Sequence, residues 1–92
     1  MENQFENTIQ KYSSMEDVKG ILVTDNNGLC LGCKGTINSN KAAYVSSLVN
    51  RAQSISLDNS KPTISIETDN TNFLISSENE IMVALAKQKM NN

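Results

Sequence analysis

The sequence has no histidine and no tryptophan, one proline, four glycines, two cysteines and four aromatic residues among ninety-two. Each shortage removes a class of function. Acid–base catalysis near neutral pH most often uses histidine, so an enzyme of that kind is not expected. Structural zinc takes four nitrogen or sulfur ligands. With no histidine and only Cys30 and Cys33, the chain lacks that donor set, and neither metal nor cofactor is expected. No phosphate-cradling glycine loop, nucleophile elbow, metal-binding helix or dinucleotide fingerprint occurs. Eight basic and ten acidic residues, spread without runs, leave a net charge of −2. That is not the electrostatic footprint of a nucleic-acid binder, and no nucleic-acid partner is expected.

Long apolar runs are missing too. Nothing approaches the roughly 18–20 residues that span a bilayer. The N-terminus is acidic rather than basic-then-apolar, and neither a myristoylation glycine nor a prenylatable cysteine is present. The expectation is a chain in a reducing compartment whose membrane contacts run through a partner, with no direct insertion. The asparagines number thirteen and are scattered, so they form no prion-like tract.

The length fits one domain, residues 1–92. A chain of this size buries only roughly 60–65% of its unfolded surface. With Phe5, Tyr12, Tyr44 and Phe73 as its whole aromatic complement, the core is thin. A thin core leaves apolar surface for a partner to complete.

What is present begins with a turn. Thr24-Asp25-Asn26-Asn27-Gly28 stands between the apolar Ile21-Leu22-Val23 and a short alternating segment, which reads as a β-hairpin. Its loop is either two residues at Asn27-Gly28 or longer, with Gly28 in a bulge. Ahead of it, Phe5, Ile9 and Tyr12 recur at helical spacing over residues 2–12, with Glu2 and Glu6 where the helix dipole favours acids. Residues 18–24 form the first strand, apolar on both faces and therefore central. Residues 29–35 return as an edge strand, with Leu29, Leu31 and Cys33 on one face and Cys30, Gly32 and Lys34 on the other. Asn38, Ser39 and Asn40 offer helix caps. Val45, Leu48, Val49, Ala52 and Ile55 then carry a helix to about Ser56, although Lys41 sits where the dipole disfavours it. Strands follow at 63–68, 73–76 and 81–86, separated by turns at 69–72 and 77–80, and residues 87–92 are a polar, fraying end.

The fold class is therefore α+β: helix, two strands, helix, three strands. The two double-sided apolar runs belong side by side in the middle, and hairpins extend outward, giving an antiparallel sheet in the order 2-1-5-4-3. An exposed edge carrying Ile64 and Ile66 is a template for another chain's strand.

Cys30-Leu31-Gly32-Cys33 has redox-motif spacing. In a regular strand, however, such residues face opposite ways about 10 Å apart, beyond the roughly 7 Å that a disulfide bridges. Two unlinked strand thiols are expected. Asp25, Asp69, Glu78 and Glu80 fall at turns, where Asp and Asn serve local hydrogen bonds and Glu serves solubility.

Thr24-Asp25, Gly28-Leu29 and Leu31-Gly32-Cys33-Lys34-Gly35-Thr36 together resemble the signature hairpin of a roadblock-type family of Ragulator subunits, the hepatitis B virus X-interacting protein family. Glu67-Thr68-Asp69-Asn70, Ile81-Met82-Val83-Ala84 and Lys89-Met90 are similar to that family's later strands, so the resemblance runs from Glu2 to Met90. Thr71 departs from it, standing where a glycine is usual, and Ser76 to Glu80 is more polar. The resemblance implies a roadblock/profilin-like fold without a C-terminal helix. It implies pairing with a second small roadblock subunit through Thr63, Ile64, Ser65, Ile66 and Glu67 on the third strand and Tyr44, Leu48 and Arg51 on the second helix. It further implies a lipid-anchored wrapping subunit on the lysosomal or late-endosomal surface, docking of Rag-type GTPases, and support of TOR signalling when amino acids are plentiful. Other readings are a roadblock-type dynein light chain, a small thiol oxidoreductase and a profilin-like actin or phosphoinositide binder.

Overall fold

Every apolar stripe meets one face of a single sheet in the computed structural model, which describes residues 4–58 and 60–89. The elements run α1 (Gln4–Ser13), β1 (Val18–Asp25), β2 (Cys30–Gly35), α2 (Ala42–Gln53), β3 (Ile64–Glu67), β4 (Thr71–Glu78) and β5 (Ile81–Gln88), with a 3-10 turn at Ser39–Lys41 before α2. The sheet is five-stranded and antiparallel, ordered β2-β1-β5-β4-β3. This is the expected order, and its cause is visible in the packing. Ile21, Leu22, Val23, Met82, Val83 and Ala84 are all buried, so β1 and β5 need cover on both faces and only the centre supplies it.

The two helices take opposite faces. Phe5, Ile9 and Tyr12 of α1 pack on Ile21, Val23, Val83 and Leu85. Val45 and Val49 of α2 pack on Leu22, Ile75, Met82, Ala84 and Ala86. Gly32 lets α1 approach closely, because a Cβ there would lie 2.4 Å from Ile9 Cδ1. Glu2, Met90 and residues 91–92 lie outside the described residues.

Several boundaries differ from expectation. The first hairpin takes the longer loop: Asp25 N–H donates to the Leu29 carbonyl at 3.0 Å, and Gly28 alone in the loop has positive φ, +89°. The Asp25 carboxylate accepts from the Asn27 and Leu29 N–H groups, each at 2.9 Å, which closes the loop without a second glycine. α2 stops at Gln53 because Ser54, Ile55 and Ser56 each donate three residues back, to Arg51, Ala52 and Gln53. That tighter winding turns Ile55 outward, 82% exposed. Asn38 makes no side-chain cap bond. β4 begins earlier and ends later than expected, leaving only Asn79-Glu80 as the turn, both at positive φ. β5 extends through Gln88, whose N–H donates to the Asp17 carbonyl at 2.7 Å, so residues 87 and 88 are strand rather than fraying end.

Candidate functional site

β3 is short and pairs only with β4, so its other side is a free edge among the described residues. Thr63 precedes the strand and Thr68 follows it, a narrower span than 63–68. Pro62 has no N–H to donate, and Thr68 closes the next turn, its N–H bonding the Thr71 carbonyl at 2.9 Å. That bond fixes the phase of the ladder. Thr68 points at β4, so by alternation do Ile66 and Ile64, and the backbone groups of Ser65 and Glu67 point outward. Glu67 also meets Lys89 across the sheet at 3.3 Å, a surface pair of small energetic weight.

The side chains alternate with the backbone. Ile64 and Ile66 pair with Ile75 and Phe73 on the α2 side of the sheet. Here α2 does not reach the edge. Between α2 and β3 lies a groove of about 260 Å³, walled by Tyr44 and Leu48 on one side and Ile66 on the other, floored by Phe73 and Ile75, and almost entirely apolar. Tyr44 is 68% exposed, Leu48 39% and Ile66 37%. Lys41 holds its ammonium 5.8 Å from the Tyr44 ring centroid, a cation–π contact at the groove's rim.

Of the predicted interface residues, the fold thus brings Tyr44, Leu48 and Ile66 into one surface. Ile64 turns to the core, while Thr63, Ser65 and Glu67 mark the edge. Arg51 stands farther along α2, outside the groove, with its Nε donating to Ser47 Oγ at 3.2 Å. Phe73 and Lys41 were not anticipated. Alternation of Phe73 with Ile75 was a readable signal for the floor; nothing local marks Lys41.

The thiols are the clearest correction. β2 pairs Gly32 with Val23 but Cys30 with Thr24, so Leu31 is an extra residue. The bulge turns Leu31 and Gly32 both toward α1. Cys30 and Cys33 consequently share the α2 side, opposite Thr24 and Leu22. Burial is the main cause holding the Cys30 thiol above its usual value, opposed by a hydrogen bond from Gly32 N–H. Asp25 is absorbed in its own loop, and among the described residues no group of three or more His, Cys, Asp or Glu is placed to hold a metal.

A five-stranded antiparallel sheet in this order, with one helix on each face, is a roadblock-type domain. A roadblock/LC7 domain from Streptomyces avermitilis superposes with a TM-score of 0.72 at 17% identity, covering 83% of this chain and 70% of that one. Myxococcus xanthus MglB gives 0.66 at 13% identity, covering 82% and 68%. These likenesses establish the fold alone. Sequence gives the family: residues 1–87 match the family model described as Ragulator complex protein LAMTOR5, and the chain belongs to that family. A Ragulator complex protein LAMTOR5 homolog from Nematostella vectensis is 35% identical over 95% of this chain and 97% of its own length. The Dictyostelium discoideum homolog is 29% identical over 95% and 98%. Xenopus laevis Ragulator complex protein LAMTOR5 is 30% identical over 95% and 97%.

Proposed function

We propose that this chain is a non-catalytic scaffold subunit of a Ragulator-like complex and pairs with a second small roadblock subunit through β3 and α2. Family membership supports the assembly. The observation that carries the pairing is the junction of an unpaired β3 edge with the apolar groove beside it. An incoming edge strand would bond the outward groups of Ser65 and Glu67 and continue the sheet. A helix from the same partner would cover Tyr44, Leu48 and Ile66, with Arg51 at its rim. Central aromatic anchors in such patches carry most of the binding energy.

In this reading a lipid-anchored wrapping subunit holds the pair on the cytoplasmic face of lysosomes and late endosomes, with a cytosolic pool. The assembly docks Rag-type GTPases and supports amino-acid-dependent TOR signalling. Membrane attachment falls to the wrapping subunit; among the described residues no helix is long and apolar enough to cross a bilayer.

The test is affinity purification of the tagged chain from its own cells in mild detergent, followed by mass spectrometry. Recovery of a second small roadblock protein, a lipidated subunit and Rag-type GTPases is expected. Recovery of dynein chains would move the function to cargo attachment, and recovery of neither set would overturn the scaffold reading.

A further inference from the structure

The bulge in β2 does more than bend an edge strand. It places two cysteines, three residues apart in sequence, on one face of the sheet, opposite Thr24 and Leu22 of β1. Cys33 is exposed and Cys30 half-buried, and both are free thiols. We infer that Cys30 and Cys33 form a reversible intrastrand disulfide site, oxidised by hydrogen peroxide or by glutathione disulfide and reopened by glutathione.

The placement assigns the two roles. An oxidant reaches the exposed sulfur first, so Cys33 is attacked and Cys30 resolves. With peroxide, Cys33 sulfur takes one oxygen and becomes a sulfenic acid as the O–O bond breaks and one water leaves. Cys30 sulfur then displaces the new hydroxyl, which departs with the Cys30 proton as a second water, and the S–S bond forms. The two thiols lose two electrons and one peroxide gains them. Glutathione disulfide gives the same product through a mixed disulfide, releasing two glutathione thiols.

Ring closure brings the two sulfurs to about 2 Å. The bulge already supplies the shared facing that a regular strand denies. Gly32, between the two cysteines, turns toward α1 and away from the face that carries the sulfurs. The reading is independent of the scaffold function, because the thiols lie on β2, at the opposite end of the sheet from β3.

The test uses the full purified chain, exposed to hydrogen peroxide or to glutathione buffers of graded oxidation, then blocked with N-ethylmaleimide. Trypsin releases residues 20–34 as one peptide containing both cysteines. The expected product is that peptide lighter by two hydrogen atoms and free of maleimide, with unchanged far-ultraviolet circular dichroism, reverting under excess glutathione. In the Cys30→Ser variant, dimedone labelling of Cys33 after peroxide should rise by about tenfold or more, since the resolving thiol is gone. Maleimide on both sulfurs, a lasting single adduct on Cys33, disulfide-linked dimers, or a bridge that forms only in denaturant would each overturn the site.

Discussion

Gly28 holds φ at +89° with the hairpin tip pressed on α2, and an added Cβ would lie 3.1 Å from both Ala43 Cα and Ser46 Oγ. Gly28→Ala therefore meets a conformational penalty and a steric one together. The expected loss is roughly 1–2 kcal/mol, read as a fall in melting temperature of about 4–8 °C per kcal/mol. Asp58 shows the electrostatic counterpart at a single residue. Hydroxyls of Ser56 and Ser60, and the Ser60 N–H, hold its exposed carboxyl down to about 2 from 3.8. A folded-state value below the unfolded one stabilises above the unfolded value and is lost as pH falls through the folded one. Local order of this loop should persist at neutral pH and fade between 3.8 and about 2. The Asp58 carboxyl resonance followed by NMR reports it, and a midpoint at the ordinary carboxylate value would refute it. Residue-scale features of this kind were only partly legible. Asp25, Asn27 and Gly28 announced their turn chemistry, whereas the Leu31 bulge left no trace in a pattern that assumes uniform alternation. The thiols were accordingly placed on opposite faces.

At the scale of elements, patterning did most of the specifying. Two apolar runs with no polar face admit only central positions, and hairpin connectivity then leaves β2 and β3 at the edges, as found. Element ends were harder, because they depend on single hydrogen bonds. α2 stops where the chain switches to three-residue bonds, although Ile55 continues its apolar spacing. The β4–β5 turn carries a local conflict, since Glu80 sits at φ +68° beside Asn79 at +49°. Two-residue turns with both φ positive favour Asn-Gly. Glu80→Gly should stabilise the chain by roughly 1 kcal/mol and raise its melting temperature; an unchanged or lowered value would show that Glu80 is not strained. The β3 ladder yields a sharper contrast. Ser65→Pro removes an outward donor and spares the β4 bonds, so monomer stability should hold while pairing with a roadblock partner fails in co-purification. Ile66→Pro removes an inward bond and should destabilise the monomer itself.

For the whole molecule, the question is what completes a core with so few large side chains. The candidate surface was legible only in halves: an alternating edge strand from the residue pattern, and a helix face with Tyr44 and Leu48 from the family resemblance alone. That α2 stops short of β3, leaving Phe73 and Ile75 as a common floor, is a property of the folded sheet that no local pattern records. The groove's walls are substantially exposed in the single chain. Replacing Leu48 and Ile66 by Asp and Lys should therefore cost the monomer little while placing unpaired charge in any interface formed there. A partner that binds only the folded chain adds stability by mass action, about 2.7 kcal/mol at a free concentration one hundred times Kd. For a domain of this size that raises the melting temperature by more than about 10 °C. The parent chain, titrated with a co-purified roadblock subunit, should show this concentration-dependent rise, and the Leu48→Asp, Ile66→Lys chain should melt near the free parent whatever the concentration. A double variant that still gains stability from the partner would place the contact elsewhere on the sheet. A variant that melts far below the free parent would mean that these two side chains hold the monomer's own core.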